Sequence, residues 1–259
     1  MSADVSFLIK GDLEALGTKD SPIIINNLQK DQPFGTFAII GKFHKANVNI
    51  KHLKISGGSE STVEGIKFLG QMSIHNANVL ANNIHITNSY SDDGINIRNS
   101  NIDIRNSKFS NNLFDQVDLD FCEGIIESSD FLVKPVEASV IANGDGLDLS
   151  GSRVNIVNNR FQYFSDKAIS IGEESTALLN NNNISLSKIG VAIKDGSDVY
   201  VLNNNSLIQN KEDISLYIKK SFYSPPRLYI NKGLTDYRLT INDGTIEELD
   251  KNLMNNIFG

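Results

Sequence analysis

Asp92-Asp93-Gly94-Ile95-Asn96-Ile97, Phe114-Asp115-Gln116-Val117-Asp118-Leu119-Asp120, Asn143-Gly144-Asp145-Gly146-Leu147-Asp148-Leu149 and Asp166-Lys167-Ala168-Ile169-Ser170-Ile171 are variants of one pattern. Val191-Ala192-Ile193 and Ile214-Ser215-Leu216 continue it. The apolar starts Ile95, Val117, Leu147, Ile169, Val191 and Ile214 are 22, 30, 22, 22 and 23 residues apart. The interval of 30 reads as one repeat plus an insertion of eight, placed within Leu132 to Asn143. Each segment alternates apolar, polar, apolar, the period-two signature of a strand with one buried face.

A second strand follows in most repeats: Ile102 and Ile104, Val154 and Ile156, Ala177 and Leu179, Val199 and Val201. A polar turn residue comes next (Asn106, Ser128, Asn158, Asn181, Asn203), then a large apolar residue (Phe109, Phe131, Phe161, Ile184). A coil of about 22 residues with short strands and polar turns, repeated in register, predicts an all-β solenoid, a right-handed parallel β-helix. Repeated Asn at one turn predicts an internal amide ladder. Hexapeptide solenoids need shorter periods, and a doubly wound α/β fold needs helices between strands. Leu53 and Ile55, Ile66 and Phe68, and Ile84 and Ile86 read as earlier coil strands, with first coils at Pro22 to Ile25 and Phe34 to Ile40. Pro225-Pro226 is expected to halt the stacking, since neither residue donates to a ladder. Thr245 and Glu248 form a capping box, and Ile246, Leu249, Leu253 and Ile257 share a helical face. The expected organisation is a β-helix over residues 1-224 and an extension with a short capping helix over residues 225-259.

The 259 residues are 40% hydrophobic and 21% charged, with a formal net charge of −7, a globular composition. The acidic balance disfavours nucleic acid as a partner. No stretch reaches the roughly 18 apolar residues of a membrane span. Met1-Ser2-Ala3-Asp4 lacks the basic start of a secretory signal, and the strand pattern begins at once, as expected of a fragment of a longer chain. Cys122, the one cysteine, reads as a packed small residue. His52, His75 and His85 read as exposed strand positions.

Alternation places Asn96 and Arg98, Asp118 and Asp120, Asp148 and Ser150, and Ser170 and Gly172 outward. Asp93, Asp115, Asp145 and Lys167 form a further column two residues before each strand. Stacked carboxylates about 5 Å apart raise one another's pKa or demand a cation. The candidates for chemistry are Asp118, Asp120, Asp148, Arg98 and Lys167. Asp93, Asp115 and Asp145 are candidate calcium ligands, since crowded carboxylates suit a hard cation. Asp-Gly at 93–94 and 145–146 also reads simply as turn chemistry. Asp118, Asp120 and Asp148 lie inside strands, where Asp is depleted.

These four aspartate-rich segments resemble a group of bacterial parallel β-helix domains that follow spore-coat-H-type kinase domains in longer surface or secreted proteins. The similarity runs from about Gly17 to Lys220. More broadly the pattern is similar to the pectin-lyase-like superfamily of polysaccharide lyases, hydrolases and epimerases. The His-Gly and Arg-Ile-Lys motifs of polygalacturonases and the Asp-Pro-His of alginate epimerases are absent. The resemblance implies a polysaccharide partner, further domains and an extracellular or cell-surface location. Two readings follow. In the first, the chain is a glycan lyase, epimerase or hydrolase. A lyase would use calcium with Lys167 or Arg98 as base, and a hydrolase two of Asp118, Asp120 and Asp148. In the second, it is a non-catalytic glycan-binding or structural spacer module.

Overall fold

The computed structural model describes residues 1–133, 144–202, 204–231 and 236–250. Among them the chain winds as a right-handed parallel β-helix with three sheets. Sheet 1 has ten strands, and its central ones are Gly70–His75, Asp93–Arg98, Asp115–Asp120, Leu147–Ser150, Lys167–Gly172, Ile189–Lys194 and Glu212–Tyr217. Sheet 2 has ten strands, from Leu13–Leu16 to Thr245–Glu248, and sheet 3 has eight, from Ile23–Asn26 to Ser206–Ile208. Each of the first eight coils contributes one strand to each sheet, and the last two described coils add strands to sheets 1 and 2 alone.

Ile95, Val117, Leu147, Ile169, Val191 and Ile214 pair in unbroken register and are all buried, as the alternation predicts. Ile97, Leu119, Leu149, Ile171, Ile193 and Leu216 make the parallel inner column. In sheet 3, Phe109, Phe131 and Phe161 stack with centroids 5.0 and 4.3 Å apart. Each fully buried aliphatic or aromatic side chain contributes about 1.5–3 kcal/mol. The solenoid therefore draws its stability from repeated columns rather than one central cluster.

The turn residues behave differently from the expected ladder. Asn106, Ser128, Asn158 and Asn181 take left-handed φ values of 50 to 57°; Asn203 lies outside the described residues. That conformation turns their side chains outward and delivers the following residue inward. The internal ladder accordingly runs one position later, through Ser107, Ser129, Asn159 and Asn182, and continues at Asn205. Asn159 Oδ1 accepts the Ser129 N–H at 2.9 Å, and its amide donates to the Ile126 carbonyl at 2.9 Å. Asn182 repeats this with the Asn159 N–H at 2.9 Å and the Ile156 carbonyl at 2.7 Å.

Four expectations are corrected. Ile66–Phe68 is not a coil strand: it pairs antiparallel with Ser61–Val63 as a hairpin. This hairpin sets Phe68 on His75 with ring centroids 4.9 Å apart, so His75 is buried rather than exposed. Pro225-Pro226 does not stop the stacking. Arg227–Ile230 pairs with Asp198–Val201, and the Pro226 carbonyl accepts the Thr245 N–H at 3.1 Å. Proline removes a donor but keeps its acceptor. Thr245–Glu248 is the last strand of sheet 2 and not a helix start. The free edge of the preceding strand outweighs the local capping signal, and Leu249 packs on the stacked pair Tyr200 and Tyr229. Leu253 and Ile257, and most of the insertion between Leu132 and Asn143, lie outside the described residues.

Replacing Asn182 by Ala removes the acceptor of the buried Asn159 N–H and the amide donor to the Ile156 carbonyl inside the stack. Asn182→Ala is expected to lower stability by about 2–3 kcal/mol, read from the urea midpoint. Asn181→Gly, at the outward corner, keeps the left-handed turn and is expected to shift it by less than about 0.5 kcal/mol.

Candidate functional site

The outer face of sheet 1 carries every candidate residue. Val117, Leu119, Leu147 and Leu149 point inward and are fully buried, so Asp118, Asp120 and Asp148 must point outward. Asn96, Asp118, Asp148 and Ser170 are direct register partners and form the middle column. Arg98, Asp120, Ser150 and Gly172 form the next. Asp93 pairs with Asp115 in the first column, continued by Asp145 and Lys167.

Each carboxylate has its own set of contacts. Asn96 Nδ2 donates to Asp118 at 2.7 Å and to Asp120 at 3.4 Å, and Asn96 Oδ1 lies 3.3 Å from His75 Nε2. Arg98 grips Asp120 Oδ2 through Nε at 3.1 Å and Nη2 at 2.9 Å. Asp115 Oδ1 accepts the Asp145 N–H at 2.6 Å, and Asp145 Oδ1 accepts the Lys167 N–H at 3.1 Å. These two side chains therefore do the turn work that Asp-rich corners suggest. Lys167 Nζ is 3.0 Å from Asp145 and also bonds Asp166. Asp148 Oδ1 and Asp93 Oδ2 are both buried and have no hydrogen-bond partner. Lys194 Nζ is 3.9 Å from Asp148, and its side chain is only 7% exposed. Lys194 was not singled out from the sequence. It stands 22 positions after Gly172, so the repeat alone could have placed it on this face.

Crowding shows in the proton affinities. Burial, then the charge of Asp145, pushes Asp115 from 3.8 up to about 8. Burial, followed by Asp120, Asp148 and Asp115, holds Asp118 well above the ordinary carboxylate range. Burial and then Asp118 do the same to Asp93. Burial likewise raises Asp145, although Lys167 opposes it. For Lys167 burial works against the charge, but Asp145 and Asp166 overcome it and raise its pKa. Burial lowers the pKa of His75.

Asp115, Asp145 and Asp148 each offer an oxygen within 4.8 Å of the others, which brings together two of the three expected calcium ligands, with Asp148 in place of Asp93. The donor type suits a hard dication. However, the Lys167 ammonium already rests on Asp145, so a cation would have to displace it.

A solenoid with these parallel ladders defines the class, and sequence comparison agrees. Residues 93–225, just over half of the chain, match the family model described as right-handed β-helix region, and the chain belongs to that family. No curated protein sequence matches it. Among solved structures it is similar to alginate lyase from Paenibacillus sp. str. FPU-7, with 12% identity over 96% of this chain and 89% of that one, at a TM-score of 0.36. It is also similar to DFA-IIIase from Arthrobacter chlorophenolicus A6, with 11% identity over 97% of this chain and 66% of that one, at a TM-score of 0.30. Among the described residues no helix is long and apolar enough to cross a membrane.

The raised Asp115 pKa gives stability a definite pH dependence. Between 3.8 and about 8 the folded protein holds a proton on Asp115 that the unfolded chain has released. The unfolded state binds fewer protons there, so stability falls as pH rises through that window. Asp115→Asn keeps the acceptor for the Asp145 N–H and removes the charge. It is expected to flatten this slope and to stabilise the protein at pH 8 by about 1–2 kcal/mol, measured by thermal melts from pH 4 to 9.

Proposed function

We propose that this β-helix binds a neutral polysaccharide along the outer face of sheet 1 and hydrolyses it with Asp118 as general acid and Asp148 as nucleophile. The observation that carries the proposal is the placement of these two carboxylates. They are register partners on adjacent coils; Asp148 Oδ1 is buried without a hydrogen bond, facing Lys194 Nζ at 3.9 Å, while the Asp148 side chain as a whole stays 26% exposed on the outer face. Asp120 is held by Arg98, and Asp115 and Asp145 bind backbone of the next coil. The raised pKa of Asp118 keeps a proton available for the leaving oxygen. Asp118 protonates the glycosidic oxygen while Asp148 attacks the anomeric carbon. The leaving alcohol departs, and Asp118 then takes a proton from the water that cleaves the glycosyl ester. Carboxylates about 5 Å apart suit this retaining course.

The lyase reading is less well supported. A base must first lose its proton, and Lys167 and Arg98 are both committed to carboxylates. The same ion pairs, with Lys194 facing Asp148, leave the row better matched to a neutral glycan than to a uronate. The structural parts played by Asp115 and Asp145 favour a second reading, a glycan-binding or spacer module of a larger bacterial surface or secreted protein. In the catalytic and glycan-binding readings alike the chain would meet its polysaccharide outside the cell or at its surface.

Reducing-end release from a panel of neutral and uronate polysaccharides tests the proposal. Asp118→Asn and Asp148→Asn are each expected to lower turnover at least about 100-fold while the fold persists, with Asp118→Asn leaving stability unchanged or higher because it relieves repulsion. Asp198→Asn serves as the distant control. Binding without cleavage by the unaltered protein would leave the module reading in its place. Calcium is the competing use of the trio Asp115, Asp145 and Asp148. Because catalysis needs Asp148 unligated, millimolar calcium is expected to leave the Tm unchanged. A calcium-dependent rise would assign the trio to a metal and remove Asp148 from the catalytic pair.

A further inference from the structure

Phe121 follows Asp120 directly, at the corner between sheets 1 and 2. Its φ is +53°, a left-handed conformation that strains a bulky residue. The two preceding coils place Asn76 and Asn99 at this corner, with φ of 56° and 52°, and the following coils place Gly151, Glu173 and Asp195 there, with φ of 58°, 57° and 51°, so Phe121 is the one aromatic in the described series. Asparagine and glycine suit that geometry, whereas phenylalanine does not. The ring is also 62% exposed, so core burial does not account for it. It is nonetheless held in position. A Cβ on Gly151 would lie 2.7 Å from Phe121 Cδ1 and Cε1, so glycine there lets the ring rest on the backbone of the next coil.

Beside the ring runs an open groove of about 300 Å³, lined among others by Asn101, Glu123, Gly151, Arg153 and Glu174. These corners belong to successive coils about 4.8 Å apart. The groove thus follows the helix axis over the length of a short oligosaccharide. Lys45 Nζ donates to Asn101 Oδ1 at 2.8 Å and fixes one wall.

We propose that Phe121 is the stacking platform of a sugar subsite in this groove, next to the acidic row. The proposal rests on the glycan reading above and adds a binding residue that acts independently of the carboxylates. A pyranose presents a face of C–H groups and a rim of hydroxyls. The negative face of an aromatic ring attracts the first. Asn101, Glu123, Arg153 and Glu174 offer donors and acceptors to the second. A ring already pinned by Gly151 loses little freedom on binding.

Calorimetric titration of the full chain with hexasaccharides of β-1,4-glucose, β-1,4-mannose and α-1,4-galacturonate tests this. Phe121→Asn installs the residue that suits the corner. The expected result is an unchanged or higher Tm together with at least tenfold weaker binding of a neutral hexasaccharide. Phe121→Tyr should bind as the unaltered protein does. The chain contains no tryptophan, so Phe121→Trp places a single indole at the site. Its emission should shift and saturate at the calorimetric Kd. If the unaltered protein binds a hexasaccharide and Phe121→Asn binds it equally well, or the indole stays silent, the platform is refuted while the glycan reading stands. If no hexasaccharide and no polysaccharide binds the unaltered protein, both fall together.

Discussion

Everything in this molecule depends on the parallel, in-register pairing of one coil with the next. At a spacing of about 4.8 Å each side chain meets the residue one repeat away, so the same step is applied to every kind of side chain. Aliphatic columns close into a core, and Phe109, Phe131 and Phe161 stack as a file of rings. Inward Asn and Ser residues link each coil to its neighbour through backbone groups that would otherwise be orphaned.

The same spacing makes the acidic face costly. Asp93, Asp115, Asp118, Asp145 and Asp148 cannot spread apart, because the ladder beneath them fixes their roots. Like charges at that distance persist only with compensation. The face supplies it in three ways along the helix axis. Toward the N-terminal coils, Asn96, itself bonded to His75, and Arg98 supply Asp118 and Asp120 with hydrogen bonds and one cation. In the middle, burial and mutual repulsion favour protonation of Asp115 and Asp118. Toward the C-terminal coils, Lys167 and Lys194 replace aspartate in the same columns. One surface therefore holds carboxylates of different proton affinity and different engagement, which is the physical requirement for dividing acid and nucleophile roles between chemically identical side chains.

The repeat was legible in the sequence because burial on one face enforces period-two alternation, and stacking enforces the 22-residue period. Both leave marks on every coil. The inner columns, the outward direction of Asp118, Asp120 and Asp148, and the placing of turns at Asn106, Asn158 and Asn181 all followed from those two periods. Tertiary partners decided what local pattern could not. The inward ladder falls on Asn159, Asn182 and Asn205 because a left-handed residue turns its own side chain out and the next one in. Thr245–Glu248 became a strand because a free sheet edge offered backbone partners that outweigh a four-residue capping signal. His75 is buried because the hairpin carrying Phe68 folds over it, a contact no periodicity encodes. Which carboxylates are engaged and which are not was likewise invisible in the sequence. It depends on where Arg98, Lys167 and Lys194 reach across coils, and long flexible side chains choose their partners only once the backbone has placed them.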